Sequence, residues 1–322
     1  MQTALQWDKN VLEPVFRELY TREMSNKKDY VPAMFDVQKS DKATESVEMI
    51  GGEGLMEDWK YSNNQVKYED VDQLWQKYFT HAKYSLGREI DRDFVDDLKL
   101  TAIRDRIRSL ADAVYKTQQY QGAQWFNNGM LTTTAVDYRG RTYNAALPDG
   151  QALFSTAHPY SPTNATDTQS NLITDVLSID SFDTAFVKMQ GWKDDKGNLM
   201  SAMGDTLFVG PALRRTALQI AGLPDPGSKM NYEPGSADFN QNVYADGSIK
   251  VVVNPFFSNS TQWVLADSTR MMNAMKWFNR RLPETGSITD FDTEIAKYKV
   301  VKRCSFGTID WSFAVGSTGA GA

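Results

Sequence analysis

Ser155 and His158 lie three residues apart in the loop Asp149-Gly150-Gln151-Ala152-Leu153-Phe154-Ser155-Thr156-Ala157-His158-Pro159-Tyr160. They are the residue types of a hydroxyl nucleophile and its general base. Such a pair needs the base within hydrogen-bond reach of the hydroxyl, and a third group behind the base to orient it. The sequence around Ser155 lacks the Gly-x-Ser-x-Gly turn that presents a serine above a hydrolase sheet. The other use of this histidine is architectural: His158-Pro159 sets a turn, and Leu153 and Phe154 anchor it in a core. On that reading Leu153, Phe154, His158 and Pro159 are a structural signature, and the chain has no catalytic residue.

Metal and cofactor chemistry is sparsely provided for. The two histidines, His81 and His158, are far apart in the chain with no carboxylate cluster around either, and Cys304 is the single cysteine. A structural zinc site takes four nitrogen or sulfur ligands, and a disulfide or redox pair takes two thiols. Asp194-Asp195 could face a hard cation, but followed by Lys196-Gly197-Asn198 it reads as a tight turn. Gly51-Gly52-Glu53-Gly54 lacks the Gly-Lys-Ser/Thr of a phosphate loop and reads as a flexible joint. No metal and no cofactor is expected.

Composition narrows the function classes further. The 322 residues are 41% hydrophobic, enough for one large or two ordinary domains. The net charge is -6, whereas sequence-independent binding to nucleic acid requires a basic face that neutralises phosphates. Arg104, Arg106 and Arg108, interleaved with Asp105, read as a solvated helix face. No apolar run approaches the roughly 20 residues that span a bilayer, and the N-terminus lacks the basic-then-apolar pattern of a secretion signal. A soluble chain folded in a cytoplasm, without membrane contact, is expected.

The elements that must hold these residues come in an unusual order. Residues 10–25 place Val11, Leu12, Val15, Phe16, Leu19 and Tyr20 at steps of three and four, an amphipathic helix that must dock on its own body or on a neighbour. Residues 39–88 are polar, with strand-like arms at 44–50 and 75–84 around the turn material Lys60-Tyr61-Ser62-Asn63-Asn64-Gln65. A long hairpin of this kind is marginal alone in water and needs a surface to lie on. Residues 93–128 carry the strongest helical pattern, through Leu100, Ile103, Ile107, Leu110, Val114 and Gln121, with Asp91 and Asp93 at the start and Gly129 as a C-cap. Beyond the loop the pattern is mixed. Ser181 caps a helix ending at Gly191, and 206–211 is a strand followed by a helix over 212–221. Asp246-Gly247 signals a hairpin into 249–253, and 262–267 and 295–306 read as strands. The small residues 316–322 read as a disordered tail.

Three stretches in this order carry a resemblance. They are Gly150-Gln151-Ala152-Leu153-Phe154-Ser155-Thr156-Ala157-His158-Pro159, then Asp195-Lys196-Gly197-Asn198-Leu199 followed by Leu207-Phe208-Val209-Gly210-Pro211-Ala212-Leu213, and then Trp263-Val264-Leu265-Ala266-Asp267. The chain resembles the major capsid proteins of tailed double-stranded DNA bacteriophages, the Hong Kong 97-type fold, and within them the Mu-like major head subunits. The motifs span about 150–267; the hairpin and long helix extend the match by architecture.

The resemblance implies an α+β fold in five parts. Residues 1–39 would be an N-terminal arm and 40–90 an extended loop. Residues 91–170 and 291–322 would form a peripheral domain with a spine helix over 91–128, and 171–290 an axial domain. It implies a structural role, self-assembly into hexamers and pentamers of an icosahedral shell around phage DNA, in a virion assembled in the host cytoplasm. Lys60, Tyr61, Asn63, Asn64 and Lys67 become candidates for inter-subunit contact, and Lys60 and Lys67 for the lysine–asparagine cross-link found in some relatives. A spine helix starting near residue 91 leaves no room for a large scaffolding region before it. A separate scaffolding protein is therefore expected, with a portal protein and a decoration protein as further partners. A bacterial nanocompartment shell shares the fold and is the related alternative. A soluble hydrolase using Ser155 and His158 is the alternative from another class.

Overall fold

The computed structural model describes residues 13–52, 54–56, 58–60, 65–66, 68, 70, 72–91, 100–130, 133–222, 244, 247–290 and 292–320. In chain order the helices are α1 (Glu13–Ser25), α2 (Leu100–Asn127), α3 (Ile179–Gln190), α4 (Arg214–Ile220) and α5 (Ser268–Ala274). The first eight strands are β1 (Asp36–Lys39), β2 (Thr44–Ile50), β3 (Gln73–Thr80), β4 (Ala82–Ile90), β5 (Thr134–Val136), β6 (Thr142–Asn144), β7 (His158–Pro159) and β8 (Thr168–Gln169). Seven more follow: β9 (Leu172–Ile173), β10 (Thr206–Val209), β11 (Lys250–Val253), β12 (Trp263–Ala266), β13 (Met275–Thr289), β14 (Ala296–Thr308) and β15 (Ala314–Ser317).

Two sheets organise the chain. One has the order β1-β13-β14-β4, with β1 parallel to β13 and the other pairs antiparallel. The other has the order β11-β10-β12-β15-β9, with parallel pairs at both edges. Strands β2 and β3 pair antiparallel as the two arms of the expected hairpin. The second arm does not run on to residue 84: pairing with β2 ends at Thr80, and from Ala82 the chain pairs with β14 instead. Sheet membership also crosses residue 290, since β13 pairs with β14 along most of its length, while β15 joins the sheet of β10 and β12.

The spine helix α2 is 28 residues long, about 42 Å at 1.5 Å per residue. Of its expected seam, Ile107, Leu110, Val114 and Gln121 are buried; residues 92–99, with Asp93, lie outside the described residues. The N-terminal half of α2 packs against α1 and the β4/β14 strands, with Phe16, Leu19 and Tyr20 meeting Leu110, Ala111, Tyr298 and Val300. The N-terminal helix therefore docks on its own chain, with the Phe16 and Tyr298 rings 5.0 Å apart. The C-terminal end of α2, at Trp125 and Phe126, enters the main core with Phe154, Phe182, Phe208, Trp263 and Phe313.

Four expectations are corrected. The N-cap of α3 is Ser178, and Ser181 is the third helical residue that completes its capping box. Cap and third residue are both serine, so the cap signal is duplicated in the sequence. Lys250–Val253 follows the expected turn at Gly247, but its pairing is parallel to β10; Asp246 and residues 223–243 lie outside the described residues. Residues 316 and 317 are not a tail: they end a fully buried strand. Strand β13 was not expected, because Pro283 and Gly286 interrupt its strand pattern. The structure accommodates the proline at a register shift between Arg281 and Glu284.

Candidate functional site

The loop that carries Ser155 and His158 is held by hydrogen bonds that use up both. The His158 ring is fully buried, with Nδ1 2.7 Å from Asp149 Oδ2 and Nε2 3.1 Å from Asn171 Oδ1. Asn171 Nδ2 donates to the carbonyl oxygens of Leu153 and Ala314, which fixes its Oδ1 as an acceptor for His158 Nε2 and for the Ser155 N–H. Both ring nitrogens thus face acceptors, and the ring stacks on Trp311 at 4.6 Å and 11°. Ser155 Oγ takes the Ala157 N–H at 3.2 Å and lies 3.5 Å from Gln151 Oε1. The structure does not bring Ser155 Oγ to the imidazole, so no nucleophile and base are paired here. His158 instead ties the start of its own loop at Asp149 to Asn171 and to the distant Trp311.

The other signature residues serve the same junction. Leu153 and Phe154 are buried, and Pro159 pairs with Thr168 in the short β7/β8 ladder. Phe154 packs on Phe126 at 6.2 Å. A Cβ on Gly129 would lie 2.8 Å from Phe154 Cδ2, and one on Gly316 would lie 2.6 Å from Phe154 Cγ. Gly129 thus serves close packing of Phe154 at the end of the spine helix, and the small C-terminal residues serve the same ring.

The β2/β3 hairpin is the second feature with functional shape. Lys60 is exposed in its turn, with its N–H bonded to Asp58. Tyr61, Asn63, Asn64 and Lys67 lie outside the described residues. The hairpin exposes Ile50, Leu55, Trp59, Val66 and Tyr78, with Met56 99% and Tyr68 90% exposed. Isolated exposed apolar residues are ordinary; a run of them on one projecting ribbon marks a contact surface.

Its root is anchored by residues of the second arm to which the sequence pattern assigned no such role. Phe79 packs on Phe278 at 5.3 Å, and Lys77 Nζ donates to the carbonyl oxygens of Thr308 and Ala146. His81 is buried between two serines, 3.1 Å from Ser40 Oγ and 2.9 Å from Ser305 Oγ. Ser40 Oγ donates to Glu45, so it accepts from His81 Nε2, and His81 Nδ1 accepts from Ser305. Burial, then the Arg303 charge, hold the His81 ring below its ordinary value; Arg280 adds to this and Glu45 opposes it. Nearer the tip, the Gly52 N–H donates to Asp195 Oδ1 at 2.6 Å. The Gly51-Gly52 step expected to be a flexible joint is thus a seated contact on the 194–198 turn. That turn forms as expected, with Asp194 Oδ1 taking the N–H of Lys196 and of Asn198.

Among the described residues no group of three or more His, Cys, Asp or Glu is placed to hold a metal ion, and no helix is long and apolar enough to cross a membrane. Arg108, in the arginine run, pairs with Glu23 and Asp105 on the solvated face of α2.

Comparison with known proteins bears on the whole architecture. Residues 76–316 match the family described as phage capsid protein. No curated protein sequence matches the chain. Among solved structures it is similar to the capsid of cyanophage P-SCSP1u, at 10% identity and a TM-score of 0.53, covering 90% of this chain and 88% of that one. It is also similar to a chain from Microbacterium phage Oxtober96, at 14% identity and a TM-score of 0.51, covering 92% and 88%. The capsid of bacteriophage JBD30 decorated with minor capsid protein trimers gives 12% identity and a TM-score of 0.51, covering 72% and 91%. At these identities the likeness is one of fold, and that fold is the Hong Kong 97-type α+β capsid fold.

Proposed function

Because the chain belongs to the phage capsid protein family, we propose that this major capsid subunit assembles into hexamers and pentamers that close as an icosahedral shell around phage DNA. The observation that carries this reading is the hairpin. It is rooted in the body at Lys77, Phe79 and His81, and it projects Leu55, Met56, Trp59 and Tyr68 to solvent. A two-stranded ribbon gains stability by lying on another surface. A heterologous contact between copies, repeated around rotation axes, builds closed shells. Lys60, Tyr61, Asn63, Asn64 and Lys67, which lie in sequence between the two arms, are the proposed inter-subunit contacts. The negative net charge supports a wall that does not retain the DNA it encloses.

The proposed division is an arm over 1–39, an extended loop over 40–90, a peripheral domain over 91–170 and 291–322, and an axial domain over 171–290. Sheet membership supports shifting two boundaries. Residues 275–289 go with the spine helix and 314–317 with the axial sheet. A separate scaffolding protein, a portal protein and a decoration protein are the partners this role entails, with assembly in the host cytoplasm. The role is structural, not enzymatic.

Negative-stain electron microscopy of the purified full-length chain tests the reading. Shells, capsomers or tubes are expected. A monodisperse monomer at every concentration and ionic strength, with a hydrolytic activity lost in Ser155→Ala, would overturn it.

A further inference from the structure

A cavity of about 290 Å3 opens at the hairpin root, between β3, β4 and the C-terminal part of α2. Gln121, Gln124 and Trp125 line it from one helix face, being three and four positions apart. They are 1%, 8% and 5% exposed. Each carries a side-chain atom with no hydrogen-bond partner among the described residues: Gln121 Nε2, Gln124 Oε1 and Trp125 Nε1. Among the described residues there are five such buried atoms, so three of the five sit on this single turn. Buried polar atoms in folded proteins are nearly always bonded, and a cluster of exceptions along one cavity needs a cause.

Two lysines flank the same turn, and among the described residues neither makes an ion pair. Lys302 is buried, and its Nζ donates to Gln121 Oε1 at 2.9 Å. This fixes the Gln121 amide so that its Nε2 is the free end. Lys77 lines the cavity, with Nζ 5.1 Å from the Trp125 ring centroid and bonded only to carbonyl oxygens. Buried charges are ordinarily paired, and burial, opposed only in part by the Asp149 charge, pushes the Lys77 ammonium down to about 8. The one carboxylate lining the cavity, Asp137, is engaged by the N–H groups of Arg139 and Arg141.

The unpaired donors suit a carboxylate, and the unpaired acceptor suits an N–H. One acidic residue of an extended peptide offers both, from its side chain and its backbone. Tyr84, Tyr138, Tyr143 and Phe306 provide apolar walls for its stem. We infer that this cavity is a binding site for an acidic side chain on an extended segment of another polypeptide. In the filled site the carboxylate lies against Trp125 Nε1, Gln121 Nε2 and the Lys77 ammonium, and the adjoining backbone N–H meets Gln124 Oε1.

The test is carbodiimide coupling of acetyl-Ala-Glu-Ala-amide to the full-length chain, followed by mapping of the modified lysines. The activated glutamate carboxyl acylates any accessible lysine, so a bound peptide shows as modification in excess of that at an exposed lysine. Lys77 should be modified at least tenfold more than exposed Lys60, in a saturable manner. Excess methanesulfonate, an anion that carbodiimide does not activate, should suppress the reaction at Lys77, and excess neutral dimethyl sulfone should not. Gln124→Leu should lower Lys77 modification at least fivefold. Modification of Lys77 no greater than that of Lys60, or equal suppression by methanesulfonate and dimethyl sulfone, would overturn the inference. The competition arm needs no variant, so it decides the matter even if Gln124→Leu fails to fold. Shell formation is not required for any readout, so this outcome is separate from that of the electron microscopy.

Discussion

Phe154 is wedged between two glycines, and Ser155 beside it does little for the fold; the two neighbours should respond oppositely to substitution. Removing a fully buried phenylalanine costs about 3–5 kcal/mol, and a buried unpaired carboxylate adds a further desolvation penalty. Phe154→Asp is therefore expected to prevent folding. Ser155→Ala loses one partly exposed N–H acceptor, worth about 1 kcal/mol, and should leave the circular dichroism spectrum and the particles unchanged. Normal particles from Phe154→Asp would show that the loop is not anchored as described. His81 supplies the pH-dependent counterpart. Its folded-state value lies below its unfolded one, so the unfolded chain binds the proton more readily. Stability is then complete above the unfolded value of about 6.5 and is lost as pH falls from there towards the folded value. The melting midpoint should drop between pH 7.5 and 5.5, with a smaller drop in His81→Gln, whose amide can still bridge Ser40 and Ser305. Parallel profiles for the two proteins would rule His81 out as the source.

At the scale of elements, the hairpin is seated as well as rooted. A Cβ on Gly52 would stand 2.4 Å from Asp194 Oδ2, and one on Gly51 would stand 2.8 Å from Asp195 Oδ2. Glycine at these positions serves close approach to the 194–198 turn. Gly52→Val should lift the hairpin off that turn while leaving the two sheets intact. The expected result is faster tryptic cleavage at Lys60 with an unchanged melting midpoint for the body. Equal cleavage rates in the two proteins would mean that the contact does not hold the hairpin. The strand period of 44–50 and the helical period of α2 were readable because each is set by its own side-chain alternation, and 206–209 because it is a short apolar run stopped by Pro211. Strand β13 was not, because its continuity depends on pairing with β14 across a register shift at Pro283.

The molecule as a whole is two sheets joined by a spine helix, with strands exchanged between them at 275 and 314. The electron-microscopy prediction belongs at this scale, since closure of a shell is a property of many copies and not of any residue. Much of this organisation was legible in the sequence. The hairpin arms, the long helix and the turns could be read because length, period and turn chemistry are local properties of a chain, and the resemblance to capsid subunits was carried by three motif stretches between 150 and 267. What the tertiary structure alone decided is what each polar and small residue is for. His158 already read as architectural in the sequence, and only the fold shows that Asp149, Asn171 and Trp311 are what it holds together. Gly316 and Ser317 looked like a tail until they were seen to pair with β12, with the Phe154 ring standing where a Cβ on Gly316 would lie. Gln121 and Trp125 looked like core positions of an amphipathic helix, and only the cavity beside them revealed unpaired nitrogens. The reason is common to all three: a side chain's role depends on partners tens to hundreds of residues away, and local sequence carries no record of which partners the fold brings near.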